Sequence, residues 1–413
     1  MMTNLKYNNN SLFIENVSLS DLAKQFGTPL YVYSQKAMDS AFNAYTQAFG
    51  DDTMICYAVK ANGNLSILRH FAQMGAGFDI VSGGELARVI QAGGKASRTI
   101  FSGVGKSVAE IEYALKMGIR CFNVESLPEL HRINEVSGRL QLKAPISLRI
   151  NPDVDAKTHP YISTGLKNNK FGIAYKDAMD AYKLAQSLPN LDVIGIDCHI
   201  GSQLTDVSPL IEACQRLIVL IDKLTAEGIT LKHIDLGGGI GIRYFDESLP
   251  ELSFYANQVK NIIANRKLSL VLEPGRSLIG NAGILLTRIE HIKQGEEKNF
   301  IITNAAMNDL MRPTLYQAYH HIVPVVERDI EPIVADIVGP ICESGDFLAK
   351  ERSLKVVEND LLAICSAGAY AMSMASNYNA RCRGAEVMVN NDSYTLIRRR
   401  ETMQDLWQCE LLD

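Results

Sequence analysis

The sequence predicts an α/β protein, a (β/α)8 TIM-type barrel joined to a second, mostly antiparallel β domain. Three observations lead there. Eight short apolar runs alternate with helix-period segments between about residues 28 and 277. Lys60, Asp79, Glu125, Arg149, His199, Gly237 to Gly239, Glu273 and Arg276 stand at, or just past, the C-terminal ends of those runs. Beyond residue 278 the helix-period segments become few and short β-rich runs replace them. Alternation alone also fits an open doubly wound sheet. The polar strand ends favour the barrel, because a barrel gathers them at one mouth.

The first run, Thr53 to Lys60, reads as a buried strand closed by the Ala61-Asn62-Gly63 turn, with a helix from Leu65 to Met74. Gly77 to Ser82 precedes a helix from Gly84 to Ala92, and Arg98 to Gly103 precedes one from Ser107 to Met117. Cys121 to Glu125 leads into a helix that opens near Pro128, a favoured first-turn residue. Ile146 to Ile150 is followed by a long loop and a helix from Lys176 to Ser187. Val193 to Ile200 precedes a helix from Ser208 to Glu227. His233 to Leu236 runs into glycines and then a helix from Leu252 to Asn265, and Leu268 to Glu273 is the eighth strand. The barrel is assigned to residues 28–277 and the β domain to residues 1–27 and 278–413. Runs such as Ile284–Ile292, Asn299–Asn304, Leu361–Cys365 and Ala385–Val389 supply the β domain, with Leu12–Glu15 as a strand added from the N-terminal side.

Composition sets limits on function. At 47% hydrophobic and 21% charged residues the chain reads as a soluble globular protein. A net charge of −5 with interspersed signs offers no nucleic-acid footprint. No apolar run has membrane-spanning length, and Met1 to Asn10 lacks a signal-peptide core. Eight cysteines without a CxxC pair point to reduced thiols in the cytoplasm and to no metal site.

Lys60 at the tip of a buried strand has two readings. It snorkels to solvent, or desolvation favours a neutral amine able to form a Schiff base with a carbonyl. Gly237-Gly-Gly239 after the seventh strand is a flexible turn or a cradle of backbone N–H groups for phosphate. Glu273 is neutralised by Arg276, or it keeps a heterocycle nitrogen protonated and leaves Arg276 for a phosphate or carboxylate. His199 is a structural hydrogen-bonder or a ring lying flat on an aromatic cofactor, with Ser202 adding a hydroxyl to its phosphate. In the β domain, Arg312 and Tyr316 offer a carboxylate clamp. Cys342-Glu-Ser-Gly-Asp346 clusters a thiol and two carboxylates, and Tyr370 offers a further phenol.

Tyr57-Ala-Val-Lys60-Ala-Asn62, His199-Ile-Gly-Ser202, Gly237-Gly-Gly239, Glu273-Pro-Gly-Arg276 and Cys342-Glu-Ser-Gly-Asp346 resemble the pyridoxal-phosphate decarboxylases of the alanine racemase-like fold. His159-Pro-Tyr-Ile-Ser-Thr-Gly165 followed by Asn169-Lys-Phe-Gly172 is similar to the members that act on meso-2,6-diaminopimelate. The likeness runs from about Gly27 to Met388. It implies pyridoxal 5'-phosphate as cofactor, bonded to Lys60, stacked on His199 and contacted at its ring nitrogen by Glu273. Ser202, Gly237, Gly238, Gly239 and Tyr370 would hold the phosphate. Arg276, Arg312 and Tyr316 would bind a distal carboxylate, and Glu343 a distal ammonium. Tyr370 also faces the substrate, and Cys342 is the proton-donor candidate. The resemblance further implies a homodimer whose sites are shared between subunits, and conversion of the diamino diacid to L-lysine. Decarboxylation of ornithine, arginine or carboxynorspermidine is the alternative.

Overall fold

The computed structural model describes residues 4–155 and 170–412. The chain forms two compact units, one of Phe42–Ile242 and Ser248–Ser277, the other of Met1–Ala41, Arg243–Glu247 and Leu278–Asp413.

The first unit is a closed parallel barrel. Its strands are Met54–Ala58, Gly77–Ile80, Thr99–Phe101, Cys121–Val124, Ala144–Asn151, Leu191–Asp197, His233–Asp235 and Ser269–Leu272. Each pairs in parallel with the next, and Val271 opposite Met54 closes the ring. Strands covered on both faces must be apolar throughout, and Met54–Ala58 is buried at every position. Phe78, Phe101 and Phe122, on neighbouring strands, are fully buried. The following helices start where the sequence supplies a cap. Ser82, Ser107 and Ser126 each accept a hydrogen bond from the backbone N–H three residues on, and Ser107 completes a reciprocal capping box with Glu110.

Alternation along a strand decides which residues enter the interior. Met54, Cys56, Ile100, Cys121, Ile194 and Val271 form one apolar cluster. Two residues beyond Cys121 and Val271, on the same faces, stand Asn123 and Glu273. The pleat that packs this cluster therefore also turns a carboxamide and a carboxylate inward.

His233 is fully buried and its ring nitrogens lack partners among the described residues. It lies opposite Gly195, where an added Cβ would come within 2.2 Å of the ring. Burial pushes its pKa down from 6.5 to about 4. The unfolded chain thus binds more protons between those values. His233 leaves stability intact above about pH 6.5 and withdraws it as pH falls toward 4. We expect the stability gap between wild type and His233→Leu to move against wild type by about 3 kcal/mol from pH 7 to pH 4. Urea unfolding at both pH values checks this, and an unchanged gap contradicts it.

In the second unit Gly283–Lys293 is the hub of the sheet. It pairs antiparallel with Leu30–Ser34, Phe300–Thr303 and Leu361–Ile364. Most other pairings are antiparallel too, but Leu30–Ser34 meets Ala385–Asn390 in parallel, as Phe300–Thr303 meets Ile333–Val338. The strand that enters this sheet from the N-terminal side is Leu30–Ser34, buried along its whole length. Ser11–Ile14 instead builds a small sheet with Leu5–Asn8 and Val17–Ser18. Its alternating burial suits a strand with only one covered face.

Candidate active site

Lys60 lies in a short 3-10 turn, Val59–Ala61, at the end of the first barrel strand. The turn is locked by Tyr57, whose hydroxyl donates to the Asn62 carbonyl at 3.0 Å. Lys60 Nζ sits 2.5 Å from Oδ2 of Asp79, the residue beside Ala58 on the second strand. The lysine side chain is 35% exposed and Asp79 is fully buried. The sequence left two readings for this amine, snorkelling to solvent or desolvated. The structure instead holds the amine in an ion pair at the barrel mouth.

Glu273 caps the eighth strand at 2% exposure. Its Oε1 accepts from Asn123 Nδ2 at 3.5 Å, and its Oε2 has no donor among the described residues. Burial, and then the charges of Asp235, Asp79 and Asp197, push its pKa well above the usual carboxylate range, while Lys60 pulls it down. His199 follows the sixth strand. Its Nδ1 lies 3.4 Å from Glu273 Oε2 and 3.7 Å from Asp197 Oδ1. The Gly238 N–H donates to His199 Nε2 at 3.3 Å, so the hydrogen-bond pattern assigns the proton to Nδ1, on the carboxylate side.

The glycine tract owes its composition to this packing. Gly237 has φ +63°, and a Cβ there would come within 2.5 Å of the His199 ring. A Cβ on Gly238 would meet the Glu273 carbonyl at 2.4 Å. Any side chain at these positions would push apart the imidazole and the acid. Gly237 N–H donates to Asp235 Oδ1 at 2.9 Å, which fixes the start of the tract. Arg276 follows Glu273 and is nearly buried. Its Nε and Nη2 donate to Ser202 Oγ at 3.3 and 3.0 Å. The structure thus groups Lys60, Asp79, His199, Ser202, the glycine tract, Glu273 and Arg276. The residues would suit a flat heteroaromatic ring with a basic nitrogen, because the buried Glu273 carboxylate makes no hydrogen bond through Oε2 among the described residues.

Two predicted strand-end residues serve the scaffold. Arg149 Nη1 binds Glu125 Oε1 at 2.8 Å, and Glu125 also accepts from the N–H groups of Gly103 and Gly172. Burying such a pair is tolerable only with its remaining polar atoms satisfied. The same holds for Lys106, missed by sequence reading. Its amine donates to Glu129, Gly103 and Asn123 at 2.7–2.8 Å. The His159–Gly165 motif and Asn169 lie outside the described residues.

In the second unit, Arg312 opens a short helix and is nearly buried. Its Nη1 donates to the Tyr244 hydroxyl at 2.7 Å, with the guanidinium 4.6 Å from the Tyr244 ring centre and 6.0 Å from that of Tyr316. Tyr244 in turn makes an edge contact with His320, whose Nδ1 is 2.8 Å from the Cys365 carbonyl. No local pattern marks Tyr244 as Arg312's partner, since 68 residues separate them. Cys342 and Glu343 are exposed on this unit. Glu343 hydrogen-bonds Tyr378 and raises its pKa. Asp346, grouped with them by sequence, turns inward. It accepts from the N–H groups of Met307 and Ile341 at 2.7 and 2.8 Å and shapes the loop. Tyr370 has φ +54° and follows Gly368, where a Cβ would lie 1.9 Å from the Ile279 carbonyl. Only glycine fits there.

Comparison with known proteins agrees with this geometry. Residues 35–280 match the family described as "Pyridoxal-dependent decarboxylase, pyridoxal binding domain". The chain is 64% identical to the diaminopimelate decarboxylase of Neisseria meningitidis serogroup B over 402 residues, 97% of each chain. It is 56% identical to that of Vibrio cholerae, covering 97% of this chain and 96% of the other. The crystal structure of diaminopimelate decarboxylase from M. jannaschii in co-complex with L-lysine superposes with a TM-score of 0.95 at 41% identity, over 100% of this chain and 98% of that one. Its Helicobacter pylori counterpart complexed with L-lysine gives 0.91 at 44% identity, over 95% and 98%. The chain therefore belongs to the diaminopimelate decarboxylases, a branch of the pyridoxal-dependent decarboxylases, and its cofactor is pyridoxal phosphate.

Proposed function

We propose that this enzyme converts meso-2,6-diaminopimelate to L-lysine and carbon dioxide. Full-length relatedness to diaminopimelate decarboxylases, two of them solved with L-lysine, supports the reading. The observation that carries the substrate assignment is the buried Arg312 guanidinium braced by Tyr244 and flanked by Tyr316. A rigid, oriented fork of that kind suits a carboxylate that does not react.

Pyridoxal phosphate, when bound, supplies an electron sink for the pair released as the carboxylate leaves. The protein's share is placement and proton control. Lys60 would be the residue that bonds the cofactor and frees the product, with Asp79 fixing where its amine rests. His199 would cover one ring face, and Glu273 would keep the ring nitrogen protonated. Ser202, Gly237 to Gly239 and Tyr370 hold the phosphate. Arg276, Arg312 and Tyr316 bind the distal carboxylate, and Tyr370 borders the substrate. Glu343 would take the distal ammonium, and Cys342 would be the proton donor to the carbon that lost its carboxylate. Anchoring the far end keeps the scissile bond aligned through the reaction.

The exposure of Cys342 and Glu343 supports a homodimer in which this loop serves the partner's site. All eight cysteines are free, which supports a reducing, cytoplasmic setting. Among the described residues no helix is long and apolar enough to cross a membrane.

The test is a product assay with meso-diaminopimelate, ornithine and arginine side by side. Lysine from the first, with little product from the others, is expected. Arg312→Ala should lower kcat/KM for diaminopimelate by roughly 10²-fold, about 3 kcal/mol. A loss no greater than that of the exposed Arg139→Ala would remove the clamp from Arg312.

A further inference from the structure

The interior beneath the barrel mouth holds more acid than its cations balance. Asp79, Asp197 and Asp235 are fully buried, as is the Glu273 side chain. They come from the second, sixth and seventh strands and from the end of the eighth, with Asp197 and Asp235 side by side in register. The cations that face this group are Lys60, 2.5 Å from Asp79, and Arg149, 3.9 Å from Asp197 and already paired with Glu125. His199 adds a ring whose proton sits on Nδ1. Cys56 and Cys121 border the same space with thiols that burial and these carboxylates push up, so they bring no further charge. Four ionised carboxylates in so dry a place would repel one another strongly.

Asp235 pairs in register with Val271, two residues before Glu273 on the same face of the barrel, and the Glu273 N–H donates to the Gly237 carbonyl at 2.8 Å, so the two carboxylates are neighbours; burial pushes the Asp235 pKa up to about 7. Yet Asp235 Oδ2 and Glu273 Oε2 have no donor among the described residues. Two carboxylates form a hydrogen bond only with a proton between them. The other Asp235 oxygen is committed to the Gly237 N–H.

We propose that Asp235 is a positioning residue that loads Glu273 with a proton before the cofactor arrives. In the empty site the pair shares one proton, held mainly on Glu273 because burial, and then the adjacent Asp235 charge, raise its proton affinity. On docking, Glu273 passes that proton to the ring nitrogen: the O–H bond breaks, an N–H bond forms, and the net charge of the ensemble is unchanged. Asp235 remains ionised and keeps the proton on the ring. The site therefore draws no proton from solvent for the ring nitrogen. The inference rests on the assignment of Glu273 to that nitrogen.

The test uses the full-length apoenzyme, with cofactor removed. Infrared difference spectra, apo minus pyridoxal-phosphate-loaded, should show a protonated carboxyl stretch in wild type. Asp235→Asn retains an oxygen for the Gly237 N–H, and circular dichroism checks its fold. Its apoenzyme should lack the band, as should apo Glu273→Gln. Loading apoenzyme with pyridoxal phosphate in weak buffer, at a pH where free cofactor has an unprotonated ring nitrogen, should take up about one more proton per site in Asp235→Asn than in wild type. A band that persists in Asp235→Asn, or equal uptake, overturns the role of Asp235. Unaltered absorbance of bound cofactor in Glu273→Gln would instead overturn the Glu273 assignment, so the two failures are distinguishable.

Discussion

Lys60→Ala is expected to abolish the near-visible absorbance of lysine-bonded cofactor and to lower turnover by on the order of 10³-fold or more. The amine is the one nucleophile placed at the end of the first strand, and its removal deletes a covalent link rather than a weak contact. It also strips Asp79 of the cation 2.5 Å away, leaving a fully buried carboxylate whose ion pair is gone. Stability should therefore fall as well, and loss of activity alone would not separate chemistry from folding. Lys60→Arg separates them. A guanidinium keeps the ion pair with Asp79 but does not bond the cofactor. We expect Lys60→Arg to melt near wild type while still lacking the absorbance and the turnover. Activity above one tenth of wild type in either variant would exclude Lys60 as the bonding residue.

Glu273→Gln should bind pyridoxal phosphate yet lose turnover by on the order of 10²- to 10³-fold. The substitution preserves shape and the contact with Asn123, but a carboxamide does not hold a proton on a pyridine nitrogen. An unprotonated ring is a poorer electron sink, so the loss should fall on kcat and leave KM nearly unchanged. The structure adds a reason for expecting intact folding. Glu273 sits among Asp235, Asp79 and Asp197, which together with burial push its pKa up, so a neutral replacement relieves repulsion. Equal or higher thermal stability with depressed kcat is the expected signature. An unchanged kcat would remove Glu273 from the chemistry.

Much of this protein was legible in the chain. Thr53 to Lys60 announced a buried strand with an amine at its tip, and the structure has a strand at Met54–Ala58 with Lys60 in the turn that follows. Local signals sufficed because strand period, serine caps and glycine turns act over a few residues. The N-terminal strand shows where they stop sufficing. Leu12–Glu15 and Leu30–Ser34 are both short apolar runs, and only long-range pairing with Gly283–Lys293 and Ala385–Asn390 selects the second for the larger sheet. Asp346 was similarly indistinct from Glu343 in sequence, although one organises the loop interior and the other is exposed.

By itself the sequence determined the barrel, the β unit and the identities of lysine, histidine, glycine tract and acid at strand ends, because those follow from periodicity and chain order. Only tertiary structure decided the partners: Asp79 for Lys60, Tyr244 for Arg312, Asn123 for Glu273, with Asp235 on the neighbouring strand. Charge states depend on burial and on neighbours brought from distant strands, and a linear chain does not specify either until the barrel closes.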